Sequence, residues 1–92
     1  MTVLDLHMPE PFRGLGAVPV LGGMVAQAAR IELRPGEPAF LKWREDADAG
    51  TFAAEAAGLE ALRAAAPGAA PRVLDVDDSW LLLEWIERSP AP

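Results

Sequence analysis

Three pairs of turn-forming residues divide the chain, and this division limits its possible folds more than any other feature. Gly22-Gly23, Pro35-Gly36 and Pro67-Gly68 separate the apolar segments, and glycine and proline pairs of this kind interrupt regular structure. The apolar segments near these pairs are short enough for strands, whereas the alanine-rich stretch that ends at Ala66 is long enough for a helix. The sequence therefore predicts an α+β fold of short strands and a single helix.

The predicted elements follow the order three strands, one helix, two strands. The strands are expected at residues 17–21, 28–33, 39–44, 72–76 and 80–87. Arg34-Pro35-Gly36-Glu37 predicts a tight turn, because proline presets one dihedral angle and glycine tolerates positive φ. The helix is expected to begin with Asp48 or Thr51 as its N-cap. Together these elements predict a five-stranded antiparallel sheet with one helix.

Length and charge exclude several classes of protein. The chain has 92 residues, of which 51% are hydrophobic, so it can form one domain with a small core. Its net charge of -6 argues against nucleic acid as a partner, since phosphate backbones attract basic surfaces. It contains no cysteine, no signal peptide pattern and no apolar run long enough for a membrane helix. We expect a cytoplasmic protein with no membrane contact.

The helix carries an acidic residue where apolar residues are expected. At helical spacing, Phe52, Leu59 and Leu62 form a stripe that should face the core, and Glu55 falls within the same arc. A buried carboxylate is costly unless a cation meets it. Helix geometry alone favours the simpler alternative, in which Glu55 lies at the edge of the stripe and reaches water.

Lys42 is the matching basic residue, flanked by large apolar residues in the third predicted strand. A strand lysine often extends to solvent, and that is the default expectation. However, a strand lysine that holds ATP phosphates, itself held by a glutamate of the next helix, is the arrangement of kinases. Lys42 and Glu55 are 13 residues apart (55 − 42), which accommodates a short loop and one or two helical turns. The pair predicts a nucleotide site more strongly than either residue alone.

Two further segments fit the same interpretation without being specific. Gly22 and Gly23 lie between the first two predicted strands, where a kinase has its phosphate-covering loop, although such a pair is more often a simple hairpin turn. Glu84 and Ile86 lie near the end of the last strand, where backbone groups of a kinase hinge bind adenine. Taken by itself, that last segment is more often an ordinary core strand.

The combination of these segments resembles the N-terminal lobe of fructosamine kinases (ketosamine-3-kinases), which are related to aminoglycoside phosphotransferases and choline kinases. The matching segments, in order, are Phe40-Leu41-Lys42, then Phe52-x-x-Glu55-x-x-Gly58-Leu59-x-x-Leu62, then Leu83-Glu84-Trp85-Ile86. The resemblance runs from about Leu21 to Glu87. One departure is the glycine turn, where the family usually has Gly-Gly-Asp/Ser-Ile-Asn and this chain has Gly-Gly-Met-Val-Ala.

The resemblance implies ATP-dependent phosphorylation of ketosamines, a reaction associated with the repair of glycated protein. By matching position, Lys42 would bind phosphate and Glu55 would orient it. Gly22 and Gly23 would cover the phosphates, and Glu84 and Ile86 would frame adenine. In the family, the catalytic Asp and the Mg²⁺ ligands belong to the large lobe, so no catalytic residue is expected within this chain and it should be inactive alone.

The sequence also predicts a domain plan. Residues 1–16, which contain two prolines and show no clear period, form an irregular or loosely docked arm, residues 17–88 form the kinase-like lobe that the resemblance implies, and residues 89–92 form a linker or truncated end. No metal site is predicted, because Asp75, Asp77 and Asp78 suit a turn and His7 suits a solvated position.

Two alternative functions remain open. One is a non-catalytic interaction module derived from such a lobe, which would associate with itself or a partner through an exposed cleft face. The other is a phosphotransferase with an aminoglycoside- or choline-like acceptor.

Overall fold

The chain forms a five-stranded antiparallel sheet with one helix, in the predicted order of elements. The computed structural model describes residues 8–20, 27–44 and 48–86. The elements are β1 (Ala17–Pro19), β2 (Gln27–Arg34), β3 (Glu37–Trp43), α1 (Thr51–Ala65), β4 (Val73–Val76) and β5 (Trp80–Glu84). A single 3-10 turn at Glu10–Phe12 precedes them. The predicted glycine pair, Gly22-Gly23, and His7 lie outside the described residues.

The strands lie in the order β1-β2-β3-β5-β4, and every neighbouring pair is antiparallel. β3 is therefore the central strand. After β3 the chain passes through α1 to the edge strand β4, and it then returns through β5 to lie beside β3. This crossover places α1 against one face of the sheet, where it packs on β4 and β5.

Two tight turns fix the register of the sheet. The β2–β3 turn contains Gly36, whose φ of 82° is a conformation that glycine adopts readily, and the Gly36 N–H donates to the Glu32 carboxylate at 2.9 Å. The β4–β5 turn is closed by the Asp77 N–H, which donates to the Trp80 carbonyl at 2.9 Å. Both turns lie where the sequence predicted them.

One face of the sheet, called here the arm face, carries the larger core cluster. Its buried sheet residues are Ala29, Ile31, Ala39, Leu41, Trp43 and Leu82. The N-terminal arm covers them with Met8 and Phe12, which are only 1% and 6% exposed. Phe12 packs edge-on against Trp80, with ring centroids 5.3 Å apart. The described part of the arm therefore contributes to the core through Met8 and Phe12, and the sequence of this segment did not predict that burial.

The opposite face, called here the helix face, is covered in part by α1. Phe52 and Ala56 of the helix are buried against Leu81 and Leu83 of β5. The predicted stripe is wrong at Leu62, which is 53% exposed. The buried arc is centred near Phe52 and Ala56, and at 100° per residue Leu62 lies about 120° from Ala56 around the helix axis.

Several predicted boundaries shift by a few residues. The helix N-cap is Gly50, with φ of 89° and no capping side chain, so neither Asp48 nor Thr51 caps the helix as predicted. The left-handed conformation at Gly50 turns the chain into the helix, and Thr51 becomes its first residue. β5 ends at Glu84, earlier than expected. Among the described residues, no helix combines the length and apolar character that membrane spanning requires.

Candidate functional site

Lys42 and Glu55 meet on the helix face of the sheet. Residues of β3 alternate between the two faces, so Leu41 and Trp43 are buried on the arm face while Lys42 points to the opposite side. Glu55 lies one turn into α1, on the side of the helix nearest β3. The Lys42 ammonium donates to both carboxylate oxygens of Glu55, at 2.9 Å to Oε1 and 3.3 Å to Oε2. Lys42 and Glu55 are therefore in direct contact, as the sequence led us to expect.

The pair is only partly shielded from water. The side chains of Lys42 and Glu55 are 32% and 37% exposed. Glu55 thus lies at the edge of the buried stripe, as the simpler interpretation had it, and still pairs with the lysine. A half-exposed ion pair of this kind contributes about 0–1 kcal/mol to stability. The ion pair therefore contributes little to the stability of the fold, and stability does not explain why Lys42 and Glu55 lie in contact.

A cavity of about 540 Å³ opens on the same face, beside the end of β5. Its walls are formed by Val20, Phe40, Pro71, Leu83, Glu84, Trp85 and Ile86. Phe40 and Lys42 are two residues apart on β3, which places their Cα atoms about 7 Å apart on one face. The cavity and the ion pair are therefore neighbouring parts of one surface, with an apolar end and a charged end.

Two of the residues predicted to frame a ligand, Glu84 and Ile86, line this cavity. Glu84 is the last residue of β5 and is fixed by two contacts with Arg72. Its N–H donates to the Arg72 carbonyl at 2.8 Å, and its carboxylate accepts from the Arg72 N–H at 3.3 Å. Ile86 follows the end of the strand and is 45% exposed. Gly22 and Gly23, predicted to complete the site, lie outside the described residues.

An aromatic wall closes one side of the cavity, and sequence reasoning missed it. The Phe40 and Trp85 rings are stacked with centroids 6.4 Å apart and planes inclined by 27°. The Arg30 guanidinium lies over the Trp85 ring, 5.4 Å from its centroid. The pairing of β2 with β3 could have indicated it. Arg30 on β2 lies opposite Phe40 on β3, and both side chains therefore lie on the same face of the sheet as Lys42.

The aspartates near the β4–β5 turn have local partners. The Asp77 carboxylate accepts from the Ser79 N–H at 3.3 Å, and the Asp75 carboxylate accepts from the Trp80 indole N–H at 3.4 Å. In the described part of the chain, no three acidic or histidine side chains come together as a metal site would require. These contacts agree with the turn role expected for Asp77.

The fold and the site together define the class of protein. An antiparallel five-stranded sheet with one helix, in which a central-strand lysine contacts a helix glutamate beside an apolar cavity, is the small lobe of a kinase-like fold. A family model described as fructosamine kinase matches residues 1–91. The chain belongs to the fructosamine kinase family.

A solved structure supports the same assignment. The chain resembles a Thermobifida fusca YX-ER1 protein that carries a provisional assignment as a fructosamine-3-kinase, with a TM-score of 0.71 and 32% sequence identity. The match covers 84% of this chain and 28% of that protein, so the chain corresponds to less than a third of that protein's length. A comparison with curated protein sequences gave no significant match.

Proposed function

We propose that this chain provides the nucleotide-binding lobe of a cytoplasmic fructosamine kinase, an enzyme that transfers phosphate from ATP to a ketosamine. The observation that carries the proposal is the 2.9 Å contact between the Lys42 ammonium and the Glu55 carboxylate. The proposed domain plan keeps residues 17–88 as the lobe, with 1–16 as its arm and 89–92 as a linker. The acceptor is inferred from the family and from the name of the similar structure.

In this proposal Lys42 binds the phosphates and Glu55 orients it. An ammonium group has three N–H donors. Glu55 accepts from this group through both of its oxygens. An N–H of the ammonium that points away from the helix then remains available for a phosphate oxygen. Because the pair is half-exposed, a phosphate can approach that side without displacing packed residues. Glu55 would thus fix the direction of the charge that the phosphate meets.

The cavity at the end of β5 would receive adenine. Phe40 and Leu83 offer apolar walls, which suit a flat aromatic base. Adenine would donate a hydrogen bond to the Glu84 carbonyl and accept one from the Ile86 N–H. The bound ATP would supply the phosphoryl group that is transferred. We assign no Mg²⁺ ligands to this chain, and Gly22 and Gly23 remain predicted phosphate contacts.

The proposal is tested by titrating the chain with ATP and Mg²⁺ by calorimetry. The unaltered chain should bind, and Lys42→Met should lose at least tenfold in affinity, since it removes the charge that meets the phosphates. Glu55→Gln should have a smaller effect, because it keeps a hydrogen-bond acceptor. Arg34→Gln is the matched control, since Arg34 also carries a positive charge but is 79% exposed at the far end of β2. Equal binding by Lys42→Met and Arg34→Gln would contradict the proposal.

A covalent probe gives an independent test, because Lys42 is the only lysine in the chain. An adenosine carrying a lysine-reactive sulfonyl fluoride should label Lys42, and an excess of ATP should prevent the labelling. Mass spectrometry of a digest distinguishes Lys42 from the N-terminal amine. Labelling of the N-terminus alone, or labelling that ATP does not slow, would argue against a nucleotide site at Lys42.

One observation favours the alternative of a non-catalytic interaction module. Val18 and Ile86, which are 59% and 45% exposed, are large apolar side chains at the surface. Apolar side chains that form a contiguous exposed patch promote association with another protein or a second copy, and these two residues would belong to such a patch in the alternative. Sedimentation of the purified chain distinguishes the two functions: a monomer that binds ATP supports the nucleotide-binding lobe, and a dimer that does not bind ATP supports the module.

A further inference from the structure

Four side chains in successive contact cross the helix face beside the cavity: Glu32, Arg30, Trp85 and Phe40. The Glu32 carboxylate accepts from the Arg30 guanidinium at 3.2 Å, and the guanidinium lies over the Trp85 ring. Trp85 in turn stacks on Phe40. Glu32 is itself fixed by the Gly36 N–H of the β2–β3 turn, at 2.9 Å. The contacts therefore run without interruption from a tight turn of the sheet to the wall of the cavity.

Among the described residues, neither strand pairing nor a side-chain hydrogen bond holds Trp85 in place. β5 ends at Glu84, whose pairing with Ala39 is the last at that end of the β3–β5 ladder, so strand pairing does not fix the Trp85 backbone. Its indole Nε1 is buried and has no hydrogen-bond partner among the described residues. The position of the ring therefore depends on its packing, which includes the contacts with the Arg30 guanidinium and the Phe40 ring.

Arginine is well suited to hold an aromatic ring in a fixed orientation. Its planar guanidinium can stack on an aromatic ring while a carboxylate binds its edge, which a lysine ammonium does less well. The Arg30 side chain is 29% exposed, so it is partly withdrawn from water over the ring. The salt bridge to Glu32 contributes little to stability at this exposure, which leaves the orientation of the guanidinium as its main consequence.

We propose that Arg30 is a positioning residue that fixes the Trp85 ring as a wall of the cavity. The consequence for nucleotide affinity rests on the proposed function, whereas the contact between Arg30 and Trp85 does not. When the cation is removed, the ring is free to leave Phe40 and the cavity loses a defined wall. A ligand that uses this wall then has to order the ring on binding, and its affinity falls.

The first experiment uses the chain without nucleotide. Trp43, Trp80 and Trp85 are its only tryptophans, so a nitrogen-15 spectrum contains three indole N–H signals. Trp85→Phe assigns the signal of Trp85. We expect Arg30→Gln to shift and broaden the Trp85 signal and to leave the other two in place, because Trp43 and Trp80 belong to the arm-face cluster. Unchanged Trp43 and Trp80 signals also show that the variant is folded.

The control is Arg34→Gln, which removes a positive charge from the same strand without touching Trp85. It should leave all three signals unchanged. Arg30→Lys keeps a cation near the ring and should restore part of the unaltered spectrum, so it remains informative if Arg30→Gln fails to fold. A Trp85 signal that is the same in the unaltered chain, Arg30→Gln and Arg30→Lys would overturn the proposal.

The second experiment repeats the ATP titration with the same variants. Arg30→Gln should weaken binding about two- to fivefold, the size of one partly exposed cation–π contact, and Arg30→Lys should recover part of it. In a Trp85→Leu background, Arg30→Gln should have no further effect on affinity. If the unaltered chain does not bind ATP, the proposed function fails while the indole spectra still decide the role of Arg30. If affinity falls equally with and without Trp85, Arg30 acts on the ligand directly and the positioning role is wrong.

Discussion

The two faces of the sheet differ in what their residues are used for. On the arm face, the central residues Ile31, Ala39 and Leu41 are completely buried. On the helix face, Lys42 and Arg30 are charged and about a third exposed, and they adjoin a cavity. Both sets come from the same strands. Neighbouring positions on one strand thus serve either stability or a site, because the pleat directs them to opposite sides.

The sharpest test of this difference compares two adjacent residues, Leu41 and Lys42. Leu41→Ala removes a fully buried side chain from the central strand and should lower the free energy of unfolding by about 3 kcal/mol. That is a large share of the stability expected for a chain of 92 residues, about 5–14 kcal/mol. Lys42→Ala should cost no more than about 1 kcal/mol, since it breaks only a half-exposed ion pair. Urea unfolding measures both values, and similar losses would refute the division between the faces.

A second prediction concerns how the arm face is covered. Phe12→Ala should lower the free energy of unfolding by about 2 kcal/mol, less than Leu41→Ala, because Phe12 lies outside the strand ladder and the structure around it can collapse more easily than the central strand. Hydrogen exchange should increase in residues 8–13 and near Trp80, whose ring Phe12 contacts. Protection of Lys42 and Glu55 should not change. If exchange rises equally on the helix face, the two faces are not energetically separate.

The smallest expected effect is at Leu62, on the outer side of the helix. Leu62→Gln should change the free energy of unfolding by less than about 0.5 kcal/mol, because this side chain is 53% exposed. Leu59→Gln is the matched comparison, since Leu59 packs against the buried cluster of the helix face. It should cost clearly more in the same urea measurement. A large loss at Leu62 alone would place the core of the helix elsewhere than described.

The sequence predicted the architecture well because local signals were strong. The Pro35-Gly36 turn and the order of the elements follow from local backbone preferences, and both are confirmed. The ion pair was predicted from two anomalies, a lysine in an apolar strand and a glutamate on an apolar helix arc. Its partial exposure agrees with the simpler alternative for Glu55. Periodicity alone could not decide how far Glu55 is buried, because it places the residue around the helix axis but does not fix where the sheet ends beneath it.

Other features were missed because they depend on elements far apart in the sequence. Met8 and Phe12 have no periodic pattern, and their burial follows only from the uncovered arm face. The stack of Arg30, Trp85 and Phe40 brings together β2, β3 and the segment after β5. Leu62 was assigned to the core from helical spacing alone, which cannot tell where the centre of a packing interface falls.

The sequence by itself determined the order of elements, the turns that separate them and the side of β3 on which the lysine lies. These depend on φ preferences and on the two-residue period of a strand, both of which are local properties. Only the tertiary structure decided that a helix would bring Glu55 to Lys42, that the arm would complete the opposite core, and that Arg30 would lie on Trp85. Those contacts depend on the β1-β2-β3-β5-β4 strand order, which sets the neighbours across the sheet.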